Sequence, residues 1–328
     1  MRAIIAPSLK SKWIMRDMPM PKPGPNQVLI KICASGLCYT DVHQTEGSYE
    51  AQFPQILGHE PAGEIVEIGI GVTHRRIGDR VGVPWLQTTC GRCEWCLREN
   101  ANFCAQQTCT SLQLAGGHAE YMLASADSTM LIPNGLAFET AAPIFCAGYT
   151  VWSGLRSANP KPGERVAVLG IGGLGHLALQ YAKAAGFETI AISHSPDKDA
   201  LIQRLGADAV VRNGEDLLKA GGADIILSTS NSNEAMKESF QGIRPNGRFI
   251  AMGIDVKPLQ ISLEDIIAKQ VQIIGSQQNR REHLYEALDM AAKGKVKPII
   301  ESYSFEEFDK AYERVKKGEV RFRAVITL

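Results

Sequence analysis

The chain reads as an α/β protein in two parts, a β-rich domain and a doubly wound parallel sheet inserted within it. Three observations carry this reading. Residues 1–126 hold short β-rich runs broken by many glycines and prolines, as in irregular all-β packing. From about residue 163 strand, turn and helix alternate, which is the pattern of crossover connections in a parallel sheet. After Ile274 the alternation stops, and the tail is expected to return to the first domain. The expected division is residues 1–149 and 281–328 for the β-rich domain and 150–280 for the parallel-sheet domain.

Taken in order, residues 27–33, 62–68 and 79–83 are the clearest strands of the first part. In the second part, strand 165–169 leads to helix 174–185, strand 189–193 to helix 197–205, and strand 223–227 to helix 234–240. A last helix over 281–293 and a strand over 323–328 fit this series poorly. The 328 residues suit two ordinary domains, and a 45% hydrophobic content can fill two cores.

Lys and Arg balance Asp and Glu at 35 each, so no net basic field draws the chain to nucleic acid or anionic membrane. Charged pairs such as Arg75-Arg76 and Glu306-Glu307 read as solvated faces. A small-molecule partner is expected. The start of the chain lacks a signal-peptide pattern, and the long uncharged run 166–182 is interrupted by glycines and His176 as a strand, turn and helix would be. A cytoplasmic address is expected, with the eight cysteines reduced.

Cysteine placement separates two kinds of site. Cys90, Cys93, Cys96 and Cys104 crowd one loop as C-x2-C-x2-C-x7-C, a spacing that lets four thiolates converge on a closed tetrahedral zinc. A nucleic-acid-docking zinc ribbon is disfavoured by the neutral charge, and a redox pair by the four thiols and β-rich surroundings. Cys38, His59 and Cys146 lie far apart in the chain and outside that loop. Cys33 and Cys109 read as buried, inert thiols.

Gly170-Ile171-Gly172-Gly173-Leu174-Gly175 follows the apolar strand directly and opens a helix. Such glycines give a tight turn, admit a pyrophosphate to the backbone and allow close helix packing, with phosphate charge at the helix N-terminus. About 20 residues on, where an NAD site commonly places a carboxylate, stands Ser193. His194, Ser195 and Lys198 follow and suit a 2′-phosphate, which favours NADP over NAD. A plainer role for Ser195-Pro196-Asp197 is to cap the next helix.

Together, Cys38-Tyr39-Thr40-Asp41-Val42-His43, Gly58-His59-Glu60-Pro61-Ala62-Gly63, the cysteine loop, Cys146-Ala147-Gly148-Tyr149-Thr150 and the glycine motif resemble the zinc-dependent medium-chain alcohol dehydrogenases. The resemblance spans nearly the whole chain. It implies a GroES-like catalytic domain split around a Rossmann domain, an active site in the cleft between them, and a homo-oligomer, dimer or tetramer. By the same resemblance Cys38, His59 and Cys146 hold a catalytic zinc with Glu60 behind it, and Cys90, Cys93, Cys96 and Cys104 hold a structural one. Thr40 and His43 form a proton relay, and Asp41 orients the ligating histidine. Thr150 packs on nicotinamide, Arg281 meets pyrophosphate, and Tyr49 and Trp85 line the alcohol pocket. Tyr39 and Asn279 depart from the family pattern, standing where a basic residue and a glycine are usual.

The expected activity is hydride transfer between NADP(H) and a primary alcohol or aldehyde, possible also with NAD. Oxidation of secondary alcohols or polyols with NAD is the alternative enzyme, and a non-catalytic, zinc-braced protein the alternative class.

Overall fold

A computed structural model of the chain describes residues 1–255 and 257–328. It divides into two compact units, Met1–Cys146 with Pro298–Leu328, and Ala147–Lys297.

The first unit is built on a seven-stranded sheet whose longest member is Gln27–Leu37. That strand pairs antiparallel with Glu60–Ile68, Tyr121–Ser125 and Arg323–Thr327. Its alternation drives this, because Val28, Ile30 and Ile32 point to one side and bury against Ile65, Val81 and Met122. Nearer its end, Leu37 joins Leu57, Phe305, Phe308 and Ile326 in a second core. Fully burying each such side chain contributes about 1.5–3 kcal/mol. The strand runs four residues beyond the expected 27–33 and so delivers Cys38 directly from its end.

The return of the tail falls at Pro298, not at residue 281. The helix Arg281–Ala292 packs in the second unit, burying Leu284, Ala287, Leu288 and Ala291. Tyr181 Oη donates to the Ala287 carbonyl at 3.1 Å, and Trp152 Nε1 donates to Glu286 at 2.6 Å. An amphipathic stripe requires some core to cover and carries no mark of which one.

The second unit is a six-stranded, wholly parallel sheet. Counting its strands along the chain, their spatial order is 3-2-1-4-5-6, the order of dinucleotide-binding folds. Central strands such as Arg165–Leu169 and Ala223–Ser228 are buried on both faces, which explains their continuous apolar runs. The expected helix 197–205 divides into a 3-10 turn, Pro196–Lys198, and a helix, Asp199–Arg204. Among the described residues, no helix is long and apolar enough to cross a membrane.

Candidate active site

Three neighbouring strands bring the chemistry of the first unit to one place. Gln27–Leu37 ends at Cys38, and its antiparallel neighbour Glu60–Ile68 begins beside His59, with Gly36 opposite Glu60. Arg323 opens the third strand, whose Ala324 lies opposite Leu37. Cys146 follows the buried 3-10 turn Ala142–Phe145.

Donor atoms of Cys38, His59, Glu60 and Cys146 all lie within 4.8 Å of one another. The two sulfurs are 4.0 Å apart, and His59 Nε2 is 3.2 Å from Cys146 Sγ. Two thiolates on a tetrahedral zinc, at bonds of about 2.3 Å, stand about 3.8 Å apart, so the donor set fits that ion in kind and spacing. Without an ion the sulfurs share one charge. Cys38 is held well below the usual thiol range, first by the hydrogen bond from Cys146 and then by the His59 ring. The Cys146 thiol is pushed up by that same pairing and by burial. Burial works against a charged His59, but the Cys38 thiolate outweighs it and raises the imidazole to about 9.

Glu60 is fully buried and ion-paired with Arg323, whose side chain is also buried. Burial raises the Glu60 carboxyl to about 7, against the opposing pull of the Arg323 charge. Sequence reasoning missed Arg323, for a lone arginine opening a strand gives no signal of a partner 263 residues away.

Thr40 and His43 lie one turn apart on the helix Tyr39–Glu46. Thr40 Oγ1 is 3.6 Å from Cys38 Sγ, and His43 Nδ1 is 2.7 Å from Ser48 Oγ. Burial pushes the His43 imidazole below its ordinary value. Asp41 fills its expected role only in part: its charge favours the His59 imidazolium, but its carboxylate accepts from the backbone N–H of Cys38 at 2.9 Å and of Gly58 at 3.1 Å, and among the described residues His59 Nδ1 has no hydrogen-bond partner. It therefore holds the chain beside both ligands and does not bond the imidazole. Trp85 stands edge-on to His59 with ring centres 5.3 Å apart, and Tyr49 edge-on to Trp85 at 6.1 Å.

The second metal set is the cysteine loop. Donor atoms of Cys90, Cys93, Cys96 and Cys104 also lie within 4.8 Å of one another, with Cys93 and Cys96 sulfurs 3.5 Å apart. Backbone N–H groups of Cys90 and Gln106 donate to Cys104 Sγ, as they would to a ligated thiolate. All eight cysteines are unpaired thiols, and both Cys33 and Cys109 are raised by burial.

In the second unit, a cavity at the glycine turn is lined by Gly170, Ile171, Ser193, His194, Ser195 and Lys198 among others. Leu174 precedes the helix Gly175–Ala184, whose first N–H groups face this turn. Ser195 begins the 3-10 turn, but its hydroxyl makes no cap bond, so the capping role is not what the structure displays. Arg212, unnoticed in the sequence, donates to the Ser193 carbonyl at 2.9 Å and pairs with Asp199. Thr150 lies on the helix Ala147–Ser157, and Arg281 begins the helix Arg281–Ala292. Asn279 donates to Ser157 Oγ at 2.8 Å and Ser276 Oγ at 3.1 Å.

A β-rich unit with two clusters of metal donors and a dinucleotide-type sheet define a metal-dependent, nucleotide-linked oxidoreductase. Residues 24–134 match the alcohol dehydrogenase GroES-like domain, and residues 173–293 match the zinc-binding dehydrogenase domain. An alcohol dehydrogenase of Geobacillus stearothermophilus is 40% identical over 99% of both chains. The CAD of Helicobacter pylori, solved with NADP(H), superposes with a TM-score of 0.91 at 27% identity, covering 99% of this chain and 97% of that one. An acetophenone reductase of Geotrichum candidum, solved with NAD, does so at 0.88 and 26%, covering 100% and 97%. The chain belongs to the zinc-type medium-chain alcohol dehydrogenases, and it is an enzyme of that activity.

Proposed function

We propose that this alcohol dehydrogenase interconverts primary alcohols and aldehydes with NADP(H), using a zinc ion held by Cys38, His59 and Cys146. The observation that carries the reading is the sulfur–imidazole–sulfur triangle, three ligands gathered from remote parts of the chain, two buried and Cys146 partly exposed. When bound, zinc supplies Lewis acidity, of the kind that lowers the pKa of coordinated water from 15.7 to about 7.

The chain's own groups do the rest. Thr40 Oγ, beside Cys38, receives the hydroxyl proton, and His43 with Ser48 passes it outward. Trp85 and Tyr49 give the substrate an aromatic wall, which suits small or planar apolar groups. Glu60 with Arg323 stands behind the metal as a charge partner. Cys90, Cys93, Cys96 and Cys104 hold a second zinc that braces their loop. Gly170, Gly172, Gly173 and Gly175 let a pyrophosphate approach the helix start, Thr150 packs against nicotinamide, and Arg281 meets a phosphate. The protein works in the cytoplasm as a homo-oligomer.

NADP rests on the nucleotide pocket. No carboxylate stands at Ser193 to accept ribose hydroxyls or repel a phosphate, and His194, Ser195 and Lys198 border the same cavity. The likeness to an NAD-bound acetophenone reductase favours a second reading, secondary alcohols with NAD. Initial rates across a panel of aldehydes, ketones and alcohols with NADPH and NADH separate the two. The proposal expects aldehydes with NADPH to give at least about tenfold higher kcat/KM, a difference of about 1.4 kcal/mol. Faster turnover of ketones with NADH would replace it by the second reading.

A further inference from the structure

Asp41 grips the backbone on both sides of the metal-donor cluster, and the structure shows what stands behind Asp41. His118 Nε2 is 3.7 Å from Asp41 Oδ1, and His118 Nδ1 is 3.0 Å from Ser35 Oγ. Ser35, Asp41 and His118 are each 0% exposed. A serine, histidine and carboxylate in line suggest a hydrolytic triad, but their complete burial leaves no path for a substrate, so the set is not a second active centre.

Its position suggests another role. His118 sits on the segment that delivers His59: the N–H groups of Gly116, Gly117 and His118 donate to the carbonyls of Ile56, Gly58 and Leu57 at 2.7, 2.7 and 3.1 Å. The imidazole also presses against Gly58, where an added Cβ would lie 2.6 Å from His118 Nδ1. Gly58 has φ +92°, a conformation that other residues adopt only with strain. The ring thus meets the turn before His59, while Asp41 holds Gly58 N–H and Cys38 N–H.

We infer that His118, steadied by Ser35, is a positioning residue that fixes the Asp41 carboxylate and the Gly58 turn, and so presets Cys38 and His59 for their metal. This rests on the proposal that those residues bind zinc. A buried carboxylate with an oriented ring nitrogen facing it keeps one rotamer, and outer partners of this kind tune how firmly ligands hold an ion. Ser35 Oγ and His118 Nδ1 share a hydrogen bond, and Nε2 faces the Asp41 carboxylate across 3.7 Å, an electrostatic contact longer than a hydrogen bond.

The test is the rate at which the full-length, zinc-loaded protein gives up metal to a chromogenic chelator, with Cys146→Ala identifying the release phase that belongs to the Cys38–His59–Cys146 cluster. His118→Phe keeps a ring of similar size but removes both nitrogens. It should accelerate that phase by about 10- to 100-fold, leaving the phase of the four-cysteine loop unchanged. His118→Gln, with an amide N–H in reach of Asp41, should fall closer to the parent than His118→Phe does. An unchanged active-site phase in His118→Phe, or equal acceleration of both phases, would overturn the inference in favour of simple packing. Should His118→Phe fail to fold, Ser35→Ala carries the same test, expecting a smaller acceleration of the same phase, and an unchanged phase overturns the inference. If the parent has no phase that Cys146→Ala removes, the metal assignment itself fails, an outcome distinct from unaltered release in the variants.

Discussion

Glu60 and Arg323 form an ion pair in which both side chains are buried, beside a histidine and two thiols that would share one metal ion. Burial lifts this carboxyl to about 7, and the guanidinium limits the rise and so favours its charged form. Replacing Arg323 by Met should leave Glu60 buried without its counter-charge and destabilise the fold by about 3–5 kcal/mol. Urea denaturation measures this, and the double variant Glu60→Gln/Arg323→Met should recover most of the loss. A loss below about 1 kcal/mol in Arg323→Met would mean that the pair is solvated in solution.

A second expectation concerns pH. In the metal-free protein the Cys38 thiolate raises His59 to about 9, whereas an unfolded histidine titrates near 6.5. The folded state therefore binds the extra proton more tightly. Taken alone, that raised imidazole contributes stability present below about pH 6.5 and lost as pH rises through 9, whereas the lowered Cys38 thiol contributes in the opposite sense, so over this range the two largely offset. Metal binding runs the other way, because His59 and both thiols must give up protons to ligate. From pH 6.5 to 9 this pair should change the melting temperature of chelated protein little, while the gap between loaded and chelated protein should widen as the ligands lose their protons to the metal. Parallel curves would refute this.

The glycine turn separates packing from cofactor approach. A Cβ at Gly175 would lie 1.9 Å from the Gly170 carbonyl oxygen, whereas one at Gly172 would meet nothing within 4 Å. Gly175→Ala should thus lower the melting temperature by several degrees. Gly172→Ala should melt like the parent yet bind NADP(H) at least about tenfold more weakly, since its methyl group occupies the pyrophosphate's approach. Isothermal titration on both variants checks this, and normal affinity in Gly172→Ala would move the cofactor elsewhere.

The second metal set carries its own expectation. Cys104 is buried and its sulfur already accepts two backbone N–H groups. Cys104→Ser should lose one zinc per chain and melt several degrees lower, while the other zinc and the dinucleotide affinity persist. Metal analysis with calorimetry decides it, and loss of both ions would show that the sites depend on each other.

Much of this architecture was legible because it is periodic. The strand–turn–helix units around Arg165–Leu169 and Gly175–Ala184 announce themselves through apolar runs and glycine placement, and the cysteine loop through spacing within a single segment. What escaped was contact between remote residues. Arg323 and His118 look ordinary in the sequence; strand register brings the first to Glu60, and backbone bonds from 116–118 to 56–58 bring the second beside Asp41. The helix Arg281–Ala292 belongs to the second unit and not the first, a choice its sequence leaves open because amphipathicity does not name the core it covers. Asp41, which the sequence suggests orients the ligating histidine, acts on it by charge, while near a helix start its carboxylate accepts from backbone N–H groups.

Zinc content set beside turnover in Cys146→Ala tests the central claim most directly. The parent should hold two zinc ions per chain, and the variant should keep one, with turnover lower by at least about a thousandfold. A variant that retains two ions, or that turns over alcohol at the parent's rate, would contradict the assignment of Cys38, His59 and Cys146 as the ligands at which the reaction occurs.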